Sequence, residues 1–256
     1  MDPRIYIYLA TVFFCGGFAF AFWFLRTGRH GPNLGMLAVM AAGVVCQSLF
    51  LGARGKELGQ CPVTNMFELL VFVAWAMVLL YFTIGTAYRW SLLGMFTAPM
   101  VFVFHVAALL LPDAHPEKPV SAGFWNELHK SLALLSFGAF ALASIAGVMF
   151  LVQDHHLKRG RLDALSLRLP PLHNLIKVIR RLIFCGFAML SAAIFCAYRI
   201  PDRNLAHSLL PVWGVWAVYA GIVIYALTRG MSGRKAALAA VLGFLLPLLT
   251  MWIVSR

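Results

Sequence analysis

Ser131-Leu-Ala-Leu-Leu-Ser-Phe-Gly-Ala-Phe-Ala-Leu-Ala-Ser-Ile-Ala-Gly-Val-Met-Phe-Leu-Val152 carries no charge over its whole length. As an α-helix it reaches about 33 Å, enough for the hydrocarbon of a bilayer, where only a helix or a closed barrel pairs all its own backbone groups. Outward from it the pattern recurs. Ile5–Leu25, Gly35–Ala53, Met66–Tyr88, Ser91–Leu111, Leu182–Tyr198, Leu209–Thr228 and Ala236–Val254 are apolar runs of comparable size; with His129–Val152 they make about eight predicted spans. The composition agrees: hydrophobic residues are 62% and charged residues 12%, against about half apolar in a soluble domain. The predicted fold is therefore all-α, a polytopic integral membrane bundle forming a single domain over residues 1–256. Ile5–Leu25 has no basic leader beyond Arg4 and no small-residue cleavage site, so it reads as a retained helix.

The formal charge of +12 does not point to nucleic acid, because the basic residues fall in short segments between spans, where they report orientation. With the amino terminus outside, the inner connections hold Arg26, Arg29, Arg89, Lys158, Arg159, Arg161, Arg168, Lys177, Arg180, Arg181, Arg229, Arg234 and Lys235, most of the 21 basic residues. The outer side keeps most of the acids, including Asp113, Glu117 and Glu127. Both termini are predicted outside, with a long basic cytoplasmic loop over 154–181.

Cys15, Cys46, Cys185 and Cys196 lie inside apolar runs, and only Cys61 lies in a loop. No Cys-x-x-Cys spacing occurs, so neither a dithiol nor a zinc ribbon is indicated. The loop of Cys61, Gly59-Gln60-Cys61-Pro62-Val63-Thr64-Asn65-Met66-Phe67-Glu68-Leu69-Leu70, leads into the third span. Pro62 cannot continue a preceding helix, Thr64 or Asn65 can cap the next, and Glu68 falls in its first turn, favourable against the helix dipole. Glu68 has two readings, a helix-start acid or an acid facing a polar cavity or bound group.

Three histidines are predicted toward the outer side. His105 lies about two turns below the outer end of the fourth span, either hydrogen-bonded to a neighbouring helix or facing a site. His129, in Phe124-Trp125-Asn126-Glu127-Leu128-His129-Lys130, stands at the mouth of the fifth span, as an interfacial residue or as an axial haem ligand. In the second case its other ring N–H needs an acceptor, for which Glu127 or Asn126 is placed. His207 stands at the mouth of the seventh span, above Trp213, Trp216 and Tyr219, whose i, i+3, i+6 spacing makes one aromatic stripe, a packing surface or a cofactor wall.

On the inner side, the adjacent His155 and His156 read as a solvated loop rather than a metal site. Beyond Pro170 and Pro171, Leu172, Leu175, Ile176 and Ile179 recur opposite His173, Lys177 and Arg180, the pattern of an interfacial helix on anionic membrane lipid.

The segment Gly59–Trp75 resembles the Gly-His-Phe-Pro-Leu-Ser-Asn-Leu-Tyr-Glu-Ser-Leu…Trp stretch of the CcsA-like cytochrome c assembly family, sharing Gly59, Pro62, Asn65, Glu68, Leu70 and Trp75. Glu127-Leu128-His129 followed by Ala133–Gln153 looks like that family's helix headed by an external histidine. Leu157-Lys158, Leu169-Pro170-Pro171-Leu172 and Cys185-Gly186-Phe187 resemble the subgroup allied to HemX and the YpjD-type inner-membrane proteins. Trp216-Ala217-Val218-Tyr219-Ala220 and Gly233-Arg234-Lys235-Ala236-Ala237…Gly243-Phe244 resemble its last two spans.

The resemblance implies a protein of the bacterial cytoplasmic (inner) membrane. It would hold haem b at the outer face for attachment to apocytochrome c, or serve as an accessory subunit, beside a second membrane assembly protein. By resemblance His129 is the first external ligand to the haem iron. The sequence also departs from the family. A Trp-Asp-Pro-Lys-Glu core is absent from Ile200–His207, and Gln60 replaces the histidine of the Gly-His-Phe-Pro motif. Ile224 or Ala226 stands where a histidine would close the penultimate span. The opposite ligand is thus open between His207 and His105, with Trp213, Trp216 and Glu68 as further candidate contacts. No redox, proton-transfer or hydrolytic constellation is visible, so catalysis is not expected of this chain by itself. A HemX-like regulator of a haem-biosynthetic enzyme and a small-molecule permease are the alternatives; no internal repeat supports the second.

Overall fold

A computed structural model describes residues 3–27, 34–85, 91–111, 123–158, 172–200 and 210–254. Among these, every regular element is a helix: α1 (Arg4–Thr27), α2 (Leu34–Leu58), α3 (Met66–Gly85), α4 (Ser91–Leu109), α5 (Phe124–Lys158), α6 (Leu172–Ala197), α7 (Leu210–Thr228), α8 (Gly233–Gly243) and α9 (Leu245–Val254). Seven segments are long and apolar enough to cross a membrane, α8 and α9 counting together as Gly233–Ile253, and Phe96–Leu109 of α4 is a shorter apolar helix. The chain is a polytopic helical membrane bundle, as expected; of the eight predicted spans, seven reach membrane-crossing length among the described residues and the fourth is shorter there. The break between α8 and α9 has a local cause. Pro247 has no N–H for the Gly243 carbonyl, and the flanking bonds Phe244 N–H to Ala240 O and Leu248 N–H to Phe244 O are long, at 3.3 and 3.4 Å.

The bundle is built around α5. Every residue from Ser136 to Gly147 is buried, so this stretch is enclosed on all sides, by α3, α6 and α8. Small residues make that possible. A Cβ placed on Gly138 would lie 2.6 Å from Ala76 Cβ of α3, and one on Gly147 would lie 2.8 Å from the Ala237 carbonyl oxygen of α8. On the other side, α1 packs on α2 and α4, and α4 packs on α3.

Two sequence expectations change. α6 runs unbroken from Leu172 into the sixth span, and Leu175, Val178, Ile179 and Leu182 are buried; its apolar stripe meets protein, chiefly α5, so this segment is not a separate helix resting on lipid. The same periodicity describes a helix lying on a bilayer and one standing against a neighbour. His155 and His156, read as loop residues, fall in the last turn of α5, which at 35 residues is about 52 Å long and exceeds the hydrocarbon thickness.

Because α3 and α5 touch through Gly138, Gly138→Val is expected to lower stability by about 1–3 kcal/mol through overpacking. Gly221→Val, where a Cβ meets nothing within 4 Å, should leave it nearly unchanged. Unfolding of the two variants in detergent micelles, followed by tryptophan fluorescence, checks the contrast.

Candidate functional site

The site residues collect at the end of the bundle that the charge distribution places outside, where α2, α4 and α6 end and α3, α5 and α7 begin. Its floor is the connection between α2 and α3. Gly59 turns the chain with φ of 63°, a left-handed conformation that glycine adopts without strain. Asn65 caps α3, its Oδ1 accepting the Glu68 N–H at 2.8 Å. The Glu68 carboxylate reaches back in turn: Oε2 accepts from the Thr64 N–H and the Thr64 hydroxyl, both at 2.8 Å. Oε1 accepts from Arg54 Nε at 2.9 Å. Glu68 is fully buried and Arg54 only 5% exposed, so this is an enclosed ion pair whose acid is engaged at both oxygens. Glu68 acts here as a helix-start acid with an added cationic partner from α2.

The same connection docks on α5. Cys61 N–H donates to Glu127 Oε2, and Cys61 Sγ lies 3.6 Å from Ser131 Oγ one turn further along. Burial pushes the Cys61 thiol above its ordinary value, and the Glu127 charge adds to the rise, against a lowering contact from Ser131. Beside it, Gln60 is buried, and among the described residues neither end of its amide has a partner; Glu127 Oε1 likewise has none.

His129 faces α6. Its Nδ1 lies 2.8 Å from the Ala193 carbonyl oxygen. A carbonyl only accepts, so Nδ1 carries the proton, and in the neutral ring Nε2 keeps its lone pair. The acceptor is thus Ala193, not Glu127 or Asn126 as the sequence suggested; Glu127 is turned toward Cys61.

His105 is fully buried on α4 against α1. Its Nδ1 lies 3.1 Å from Thr11 Oγ1, and Thr11 gives its own proton to the Ile7 carbonyl at 2.8 Å. Thr11 therefore accepts from Nδ1–H. Nε2 is left as a buried lone pair with no partner among the described residues, next to the Phe14 ring at 4.8 Å.

Trp213 and Trp216 pack edge to face at 5.4 Å, and Trp216 Nε1 donates to Ser191 Oγ of α6 at 2.9 Å. Tyr219 leaves the expected stripe: it is buried and stacks on Phe140 of α5 at 3.6 Å. His207 lies outside the described residues.

The family model described as cytochrome c assembly protein matches residues 63–197. This chain belongs to the cytochrome c assembly protein family. Protein HemX of Brevibacillus brevis is 33% identical over 198 residues, covering 75% of this chain and 70% of the relative. The cytochrome c biogenesis protein CcsA of Thermosynechococcus vestitus is 27% identical over 290 residues, covering 93% and 87%. That of Synechococcus elongatus is 26% identical over 279 residues, covering 85% of each. Both of these alignments are longer than the chain of 256 residues, so each CcsA relative carries segments that this member of the family lacks. The matched region includes Glu68, His105, Glu127, His129 and Ala193; Trp213 and Trp216 lie beyond it.

The Arg54–Glu68 pair and the Ala193 carbonyl were not read from sequence. An arginine 14 residues ahead of an acid, across a loop with Pro62, is a signal for the first; any residue offers a carbonyl, so nothing marks the second.

Removing one partner of an enclosed pair strands the other charge. Arg54→Leu is expected to cost about 3 kcal/mol of stability, and Arg54→Leu/Glu68→Leu together to cost less than the single change, both read by unfolding in detergent. For Cys61, Glu127→Gln removes an anion that raises the thiol. The pH midpoint of iodoacetamide labelling at Cys61 should therefore fall, a shift that mere loosening of the loop, which scales the rate at every pH, would not produce.

Proposed function

We propose that this family member handles haem at the outer face of the bacterial cytoplasmic membrane during cytochrome c assembly, with His129 as a ligand. The observation that carries this is the tautomer of His129: the Ala193 carbonyl holds the Nδ1 proton, leaving Nε2 free to face an iron, the arrangement that orients metal-binding histidines. The donor set fits haem iron, which takes imidazole nitrogen. Haem, when bound, supplies the vinyl groups to which an apocytochrome's cysteines add. The chain's own part is to bind and orient: Ala193 fixes the ring, and the Glu127–Cys61 contact ties α5 to the α2–α3 connection beside it. His207 or His105 supplies the opposite ligand, and haem b is the form proposed. Trp213 and Trp216 line the neighbouring α6–α7 interface. Apocytochrome c and a second membrane assembly protein are the proposed partners.

A second reading, a membrane regulator of a haem-biosynthetic enzyme, is favoured by the likeness to HemX and by the exposed cations Lys177, Arg180 and Arg181 at the opposite end of the bundle.

Absorption spectra of the protein purified in detergent, oxidised and reduced, test the first reading with wild type, His129→Ala, His105→Ala and His207→Ala. A sharp reduced α-band that His129→Ala abolishes or shifts is expected, and the second sensitive histidine identifies the opposite ligand. A colourless wild type that takes up no added haem overturns the proposal.

A further inference from the structure

Arg199, just past the end of α6, is exposed at the outer end of the bundle. Its guanidinium lies over two rings, 5.7 Å from the centre of Trp125 on α5 and 5.4 Å from that of Phe195 on α6. Among the described residues no carboxylate pairs with it. Trp125 is one helical turn before His129, so both project from the same side of α5. Phe195 shares the Arg199 guanidinium with Trp125, and His129 itself meets α6 at the Ala193 carbonyl. One corner between α5 and α6 thus brings together an imidazole with a free nitrogen, two aromatic rings that are 39% and 57% exposed, and a positioned cation.

These groups match the parts of one kind of molecule, a flat apolar macrocycle with carboxylates along one edge. A guanidinium laid on aromatic faces has little freedom left to lose on binding and keeps its N–H edge for bidentate acceptance by a carboxylate. A phospholipid headgroup would use the cation alone and would gain nothing from the imidazole. Resting on the reading of His129 above, we infer that Arg199, held by Trp125 and Phe195, binds a propionate carboxylate of the porphyrin and fixes which edge of the ring faces water.

The test uses the full chain in phosphatidylcholine nanodiscs, titrated with iron-free protoporphyrin IX and with its dimethyl ester and read by quenching of tryptophan fluorescence. No iron is present, so histidine ligation does not contribute. Arg199→Gln should weaken protoporphyrin binding about tenfold, as loss of a charge-assisted hydrogen bond does, and Arg199→Lys should restore part of it. Binding of the ester, which has no carboxylate, should be the same in all three proteins. Equal losses for acid and ester, or no loss for either, overturn the inference. Haemin added to the same samples separates the two levels: a His129-dependent spectrum with an Arg199-insensitive porphyrin affinity leaves the haem reading standing and removes Arg199 alone. A wild type that binds neither porphyrin nor haemin removes both.

Discussion

Close approach of helices to α5 is the constraint on which the bundle depends. Lipid offers no hydrophobic drive for helix association, because its tails are as apolar as leucine, and contact has to come from van der Waals fit at short range. The sequence of α5 meets that demand with Gly138, Ala139, Ala141, Ala143, Ala146 and Gly147 along one stretch, where α3, α6 and α8 come in from different directions. Larger side chains such as Phe137, Phe140 and Met149 alternate with them and fill the spaces between the helices, each 4% exposed or less. Enclosure of α5 is what sets the position of its outer end, and so of Trp125, Glu127, His129 and Ser131.

Polar contacts then determine how that end is dressed. At the edge of a low-dielectric medium an unpaired charge is expensive, so the geometry around Glu68 is over-determined: cap, backbone donor, hydroxyl and guanidinium all converge on it. The α2–α3 connection is thereby fixed at its base before its tip meets α5 through Cys61. Deeper in, Gln47 Nε2 donates to the Val71 carbonyl at 2.7 Å and Trp75 Nε1 to Ser48 Oγ at 2.8 Å. Both bonds tie α2 to α3 and hold Arg54 and Glu68 in register.

The sequence was most informative where the solvent imposes the rule. Runs such as Met66–Tyr88 and His129–Val152 were legible as spans because a bilayer demands a minimum apolar length, and the start of α3 because Thr64 or Asn65 can cap it and Glu68 falls in its first turn; which of the two caps it was left open. Legibility ended where a residue's partner comes from far along the chain. The stripe Leu175, Val178, Ile179 has one periodicity whether it meets lipid or α5, and only the neighbour decides. Trp213 and Trp216 kept the predicted contact, but Tyr219 turned to Phe140, 79 positions away in the chain. His129 was singled out by its place at the helix mouth and by the family resemblance, whereas the acceptor of its Nδ1 proton, a backbone carbonyl 64 residues away, has no signature in residue type.

The two described histidines at this end reach the same protonation pattern by different means, and the difference sorts their chemistry. In each, Nδ1–H is given to an oxygen and Nε2 keeps a lone pair. Ala193 accepts because a carbonyl can do nothing else; Thr11 accepts because its one proton is already given to Ile7. His129 is half-buried near the start of α5. His105 is sealed between α1 and α4, with Phe14 on its ring and Phe18 stacked on Phe102 at 5.6 Å nearby along the same interface. A bulky planar ligand reaches its Nε2 only if α1 moves away from α4. The free energy left in an unpartnered buried acceptor, about 1–3 kcal/mol, favours that separation but falls short of what parting two packed helices requires. Of the two, His105 is the one closed off by packed helices, so a ligand reaches it only through a rearranged α1–α4 interface, whereas His129 keeps part of its surface exposed.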